Sequence, residues 1–270
     1  MSIIETALKK AQLRPNNAAI RKREQAPRPD SNVPASVIAQ ARKLRPAELD
    51  PETMELNRVL LRIEDQSALR AYKILRTRLL QKMVANDWHT LAVTGSSTGE
   101  GKTLTAINLA IALAHDVNTW VFLVDLDLQR PRVAGYLGMS FEKGLGDYLS
   151  GEASIEQILY DPGVERLGII PNTRAFEHSS ELLASPRMLD LTQALTAEVP
   201  RRIVIYDMPP LLASDDVLVF APRVDGLLLV VTEGVTARGS LEKSKELLGD
   251  TNIIGVVLNQ SAETTDSPYY

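Results

Sequence analysis

The run Leu91-Ala-Val-Thr-Gly-Ser-Ser-Thr-Gly-Glu-Gly-Lys-Thr103 joins a short aliphatic stretch to a glycine-rich loop ending in lysine and threonine. Glycines at 95, 99 and 101 let a backbone turn tightly and aim successive N–H groups inward, as a phosphate cradle requires. Lys102 can reach the β- and γ-phosphates of a nucleotide, and the Thr103 hydroxyl can bind the accompanying Mg²⁺. The expected nucleotide-contact run is Gly99, Glu100, Gly101, Lys102, Thr103 and Leu104, with ATP and Mg²⁺ as cofactors. Ser96 stands where the usual spacing of this loop has glycine. Two more aliphatic runs end in carboxylates, Val121-Phe-Leu-Val-Asp125-Leu-Asp127 and Ile203-Val-Ile-Tyr-Asp207. Aspartates at strand tips can hold Mg²⁺, directly or through water, or accept a proton from a nucleophile. One such aspartate is usually a polar terminus; three at two strand ends behind a phosphate loop point to a site.

These residues need a scaffold that brings separate chain segments to one edge. Strands are expected at 90–94, 120–125, 167–170, 203–207, 227–232 and 253–258. They are nearly continuous aliphatic runs, as strands covered on both faces are. Helices are expected at 102–115, 153–159, 186–197 and 236–248. Another, over 65–84, carries Leu69, Tyr72, Leu75 and Leu79 on one stripe. The alternation implies an α/β fold, a doubly wound and mostly parallel sheet with helices on both faces. Its ligand belongs at the carboxyl ends of the strands.

Composition excludes other chemistries. There is no cysteine, so disulfides and thiolate chemistry are absent. Three scattered histidines, His89, His115 and His178, make a poor metal cluster. A net charge of -4 gives no general pull toward nucleic acid. The N-terminus lacks a signal-peptide pattern, and apolar runs such as 227–231 fall far short of the roughly 20 residues a spanning helix needs. Residues 2–13 suit a short helix. The prolines at 15, 27, 29, 34, 46 and 51 then suggest a mobile leader over 1–60. Between Lys9 and Arg28 it has seven basic residues against Glu24 alone. That pattern fits a solvated tail or a docking segment for a partner or an anionic membrane.

Three segments together carry a resemblance: Gly99-Glu-Gly-Lys-Thr103, Val124-Asp-Leu-Asp-Leu-Gln-Arg-Pro131 and Tyr206-Asp-Met-Pro-Pro210. They resemble the bacterial tyrosine autokinases (BY-kinases) of capsule and exopolysaccharide synthesis, P-loop proteins related to the partitioning and cell-division ATPases. Gly144-Leu-Gly-Asp-Tyr-Leu-Ser-Gly151 and Ser180-Glu-Leu-Leu-Ala-Ser-Pro-Arg-Met188 extend the resemblance across residues 65–260. The partitioning ATPases carry a second lysine five residues before the loop lysine; here that position is Ser97, as in the kinases. The resemblance implies an ATP-dependent protein-tyrosine kinase with a P-loop domain over 61–260. It implies Lys102, Asp125, Asp127 and Asp207 as catalytic residues. Thr103, Asp125 and Asp207 would hold the metal, with Asp125 also activating the incoming tyrosine.

Such kinases phosphorylate tyrosines at their own C-terminus, which makes Tyr269 and Tyr270, on a flexible tail over 261–270, the expected acceptors. Implied partners are a membrane-spanning activator or co-polymerase, further copies of the chain acting in trans, and a tyrosine phosphatase, with no nucleic acid. The implied location is cytoplasmic, at the inner face of the membrane through that partner. The alternative is a partitioning-type ATPase switch without kinase activity. A scaffold that binds nucleotide without turnover is disfavoured by the retained Lys102, Thr103, Asp125 and Asp207. Asn259 reads equally as an adenine contact or a strand cap. This chain departs from the family at Thr98, where proline is usual, and at Gln129, where arginine is usual. It departs again at Arg70, which replaces the glutamate of the self-assembly helix and puts ring formation through that pairing in doubt.

Overall fold

Eight strands form one sheet in the order β1-β4-β5-β3-β6-β2-β7-β8. They are β1 (Arg45–Pro46), β2 (Thr90–Gly95), β3 (Thr119–Asp125), β4 (Tyr160–Asp161), β5 (Leu167–Ile170), β6 (Arg201–Asp207), β7 (Gly226–Thr232) and β8 (Ile253–Asn259). The structure, a computed structural model, describes residues 44–172, 174–196 and 201–261. Every strand pair is parallel except β4 with β5. The six expected strands are all present. β4 is a short antiparallel addition that truncates the helix expected over 153–159 to Ile155–Ile158.

The helices are α1 (Pro51–Leu56), α2 (Gln66–Asn86), α3 (Lys102–Ala114), α4 (Val133–Leu137), α5 (Leu145–Leu149), α6 (Ile155–Ile158), α7 (Ser179–Ala184), α8 (Pro186–Thr196), α9 (Asp216–Phe220) and α10 (Arg238–Leu248). Alternate strand residues face opposite ways, so the sheet has two cores. Leu91, Val93, Leu123 and Ile205 point to the side covered by α2 and α3. Ala92, Val124, Tyr206 and Leu229 point to the side covered by α8, α9 and α10. This is the doubly wound arrangement expected. The central α3 is buried along nearly its whole length, which explains its apolar composition. No helix among the described residues is long and apolar enough to cross a membrane.

The leader expected over 1–60 needs correction at its end. Residues 44–60 are built into the domain. Arg45 and Pro46 pair with Tyr160 and Asp161 at the sheet edge. Asp50 caps α1 by accepting the Thr53 N–H at 3.1 Å, and Met54 and Val59 are buried in the core with α3. The prolines here punctuate structure rather than exclude it. Pro46 sits on an edge strand and Pro51 opens a helix, two places where a missing N–H costs little. Residues 1–43, including the helix expected at 2–13, and the tail from 262 onward lie outside the described residues.

Because Met54 is part of the main core, Met54→Ala should destabilise the fold by about 2–3 kcal/mol. The urea midpoint should fall accordingly; an unchanged midpoint would show this segment to be peripheral.

Candidate active site

The fold places β2 beside β6 and β6 beside β3. Three chain segments far apart in sequence therefore end at one edge. Asp125 on β3 and Asp207 on β6 are register partners, and Asp207 also pairs with Val93 on β2. Past the end of β2 comes the glycine-rich loop, then the N-terminus of α3.

The loop glycines do different jobs. Gly99 and Gly101 both have φ of 81°, which a side chain resists. A β-carbon on Gly101 would also lie 2.1 Å from Asn259 Nδ2. Gly95 is needed for space instead, since a β-carbon there would meet Glu100 Oε2 at 2.2 Å. Ser96 is tolerated because its side chain has a place to go: it is fully buried and its Oγ accepts from the Ser244 hydroxyl of α10 at 2.8 Å.

Glu100 turns inward. Its carboxylate accepts the Ser97 N–H at 2.9 Å and the Thr236 hydroxyl at 2.7 Å. Its carbonyl accepts from Thr232 at 3.2 Å and from the Asn259 amide at 3.0 Å. Glu100 thus braces the loop against the β7–α10 turn with its carboxylate and against the end of β8 with its carbonyl, which leaves its N–H to meet a phosphate. Asn259 acts as a brace in the same network.

Lys102 donates to the Ser97 carbonyl at 2.9 Å. Burial lowers its pKa, an effect opposed first by the charge of Asp207 and then by Glu100. Asp125 is fully buried. One oxygen accepts the Arg132 and Val133 N–H groups, both at 3.0 Å; the other accepts the Asp127 N–H at 3.3 Å. Asp127 accepts the Arg130 N–H at 2.9 Å and lines the cleft. Asp207 is fully buried, and neither of its oxygens has a hydrogen-bond partner among the described residues.

Desolvation raises the pKa of all three carboxyls. At Asp125 the neighbouring Asp207 charge adds to it, and at Asp207 the nearby Thr103 hydroxyl partly offsets it. Orphaned buried carboxylate oxygens call for a cation. The residues fit Mg²⁺: hard oxygen donors from Asp207, Asp125 and Thr103 converge beside a phosphate loop. Among the described residues there is no cluster of three or more acidic, histidine or cysteine side chains suited to a metal. Mg²⁺ does not need one, since it is ordinarily held by one or two carboxylates together with waters and phosphates.

The cleft in front of these groups has a volume of about 1030 Å³. Gly99, Gly101, Lys102, Thr103 and Leu104 form its floor, and Arg58, Asp65, Tyr72 and Tyr136 contribute a wall that sequence reasoning missed. Arg58 went unnoticed because it lay in the expected leader. Tyr72 was read only as part of an apolar stripe. At Gln129 the amide donates to Ser179 Oγ at 3.1 Å and Ser214 Oγ at 3.3 Å, so a neutral hydrogen-bonded link occupies the position of the family's arginine. The expected acceptors Tyr269 and Tyr270 lie outside the described residues.

A parallel doubly wound sheet, a lysine-bearing phosphate loop at a helix N-terminus and aspartates on the adjoining strand tips define a P-loop nucleotide-binding domain. Residues 91–267 match the CobQ/CobB/MinD/ParA nucleotide binding domain. The chain is 29% identical over 200 residues to the tyrosine-protein kinase YwqD of Bacillus subtilis, covering 73% of this chain and 83% of that protein. It is 30% identical over 205 residues to the tyrosine-protein kinase etk of Escherichia coli K12, covering 75% of this chain and 28% of etk. The chain thus spans little more than a quarter of several curated relatives. The solved kinase domain of Escherichia coli tyrosine kinase ETK superposes with a TM-score of 0.65 at 30% identity, covering 75% of this chain and 80% of that domain. The chain belongs to the CobQ/CobB/MinD/ParA nucleotide-binding family, within its branch of bacterial tyrosine-kinase domains.

Two outcomes follow from the geometry. Gly101→Ala should abolish nucleotide binding, measured with a fluorescent ADP, because the loop cannot keep φ near 81° or its approach to Asn259. Asp207 should also impose a pH slope. A carboxyl with a raised native pKa binds more protons folded than unfolded, so stability is lost as pH rises from the unfolded value toward the native one. Urea unfolding without nucleotide or Mg²⁺ should therefore show Asp207→Asn gaining on the wild type as pH rises from about 5 to about 8, across the native value of about 7 at which the wild-type carboxyl loses its proton. A parallel pH dependence in the two proteins would contradict this.

Proposed function

We propose that the chain is an ATP- and Mg²⁺-dependent protein-tyrosine autokinase that phosphorylates Tyr269 and Tyr270 of a neighbouring copy. The reading rests above all on one observation: Lys102, Asp125 and the unpartnered Asp207 meet at one strand edge, with Asp127 lining the cleft before them. The relatives named as tyrosine-protein kinases support it.

Lys102 is already anchored beside the loop and would neutralise charge on the transferring phosphoryl group. Mg²⁺, when bound, would supply further positive charge at the phosphates, with Thr103, Asp125 and Asp207 as its holders. The loop N–H groups and the N-terminus of α3 would orient the phosphates. The acceptor phenol has an ordinary pKa of about 10, so a carboxylate must help take its proton. Asp127 fits that role better than Asp125. It lines the cleft and one of its oxygens accepts the Arg130 N–H, whereas both oxygens of the fully buried Asp125 are held by backbone N–H groups.

On this reading the protein regulates polymerisation or export of a capsule or exopolysaccharide. Its partners are a membrane-spanning activator, further copies of itself and a tyrosine phosphatase, and it works in the cytoplasm against the membrane. A partitioning-type ATPase switch is the second reading, favoured by the breadth of the family to which residues 91–267 belong.

Labelling separates the two. Purified protein with radiolabelled ATP and Mg²⁺ should carry phosphate on Tyr269 or Tyr270. Lys102→Met should reduce labelling to background, as should the double change Tyr269→Phe/Tyr270→Phe. Steady release of free phosphate without tyrosine labelling, with the activator supplied, would overturn the kinase reading in favour of the switch.

A further inference from the structure

Arg58 combines an unfavourable backbone with an unused charge. It follows α1 with φ of 58°, a region that residues with a β-carbon seldom enter and glycine enters freely. Its N–H donates to the Glu55 carbonyl at 3.0 Å, and the Val59 N–H reaches back to Met54 at 2.8 Å. This closes the helix by the route that usually selects glycine at the position of Arg58. The turn is fixed from outside as well. Asn108 of α3 donates to the Arg58 carbonyl at 3.1 Å and accepts the Leu60 N–H at 2.8 Å, while Val59 is fully buried. The backbone of Arg58 is thus tied to the same helix whose N-terminus faces the phosphate loop.

The guanidinium has no such ties. Arg58 is exposed and lines the cleft with Arg130 and Arg132. Among the described residues, none of the three side chains makes an ion pair. An unfavourable residue retained on a rigid mount, with its charge turned to a cleft, signals a ligand contact. The nucleotide phosphates already have the loop, Lys102 and the helix end. Arg58 instead enters from the segment between α1 and α2, beside Asp65, Tyr72 and Tyr136.

The expected acceptor segment, Ala262-Glu-Thr-Thr-Asp-Ser-Pro-Tyr-Tyr270, carries Glu263 and Asp266 and no basic residue. It follows Gln260, which lines the same cleft. We propose that Arg58, with Arg130 and Arg132 beside it, binds the carboxylates that precede the acceptor tyrosines, so that the site selects acidic tyrosine peptides. This rests on the tyrosine-kinase reading above. A guanidinium–carboxylate pair supplies both charge and geometry for such selection.

The test uses the full chain carrying Tyr269→Phe/Tyr270→Phe, so that only added peptide can be labelled. The probes are a fluorescent peptide of sequence 262–270 and its neutral twin carrying Glu263→Gln and Asp266→Asn. With ADP and Mg²⁺ present, fluorescence anisotropy should show the acidic peptide binding about tenfold tighter than the neutral one, as one charge-assisted contact would give. In Arg58→Gly that preference should vanish, while fluorescent-ADP binding stays unchanged. This variant should melt at or above the wild-type temperature, because glycine suits the left-handed turn. Equal affinity of the wild-type protein for both peptides, a preference retained in Arg58→Gly, or a tenfold loss of ADP binding would each overturn the inference. Because anisotropy needs no phosphoryl transfer, acidic selectivity without peptide labelling from ATP, with the activator supplied, would sink the kinase reading and leave this one standing.

Discussion

Asp125 and Asp207 lie side by side at the tips of adjacent strands, both closed off from solvent. Two like charges in that position repel each other and lose their hydration. Asp125 is compensated by three backbone N–H groups. Among the described residues neither Asp207 oxygen has a hydrogen-bond partner; the nearby Thr103 hydroxyl and the Lys102 charge act in its favour. The protein's own groups therefore leave an electrostatic deficit at the point where Mg²⁺ and phosphate would arrive. Around that deficit the rest of the structure is rigid: a parallel sheet buried on both faces, and a helix sunk almost wholly in the core. A flexible scaffold would let the carboxylates part or reach water.

The loop shares that rigidity through Glu100. Its carboxylate and carbonyl take four hydrogen bonds, from Ser97, Thr236, Thr232 and Asn259. These join the phosphate loop to the turn after β7 and to the end of β8. The loop cannot change shape without disturbing the strand that leads into the expected acceptor segment. A second wall comes from the opposite end of the chain. Residues 57–60 are held by Asn108 on α3 and by the Asn57 amide on the Tyr136 carbonyl. The cleft thus draws on sequence positions from 58 to 260.

The chemistry of the floor was legible residue by residue. Glycine, lysine and threonine at fixed spacing can serve few purposes, and aspartates that end aliphatic runs mark strand tips. The walls were not legible, because short elements leave no periodic trace. Helices of four to six residues, such as Val133–Leu137 and Asp216–Phe220, are too brief for an apolar stripe to repeat. The proline-rich stretch before residue 60 misled for a related reason. Composition cannot tell a proline that breaks structure from one at an edge strand or a helix start.

The sequence by itself determined the alternating strands and helices, the phosphate loop and the aspartates that face it. Local pattern suffices there, since burial on both faces demands aliphatic runs and phosphate binding demands a particular loop. Only the tertiary structure decided how those parts are used. Sheet order set Asp125 against Asp207 and left Asp207 unpartnered. Packing turned Glu100 inward as a brace, gave Ser96 a partner in Ser244, and brought Arg58 to the cleft. Each of these depends on contacts between residues far apart in the chain, which spacing along the chain cannot express.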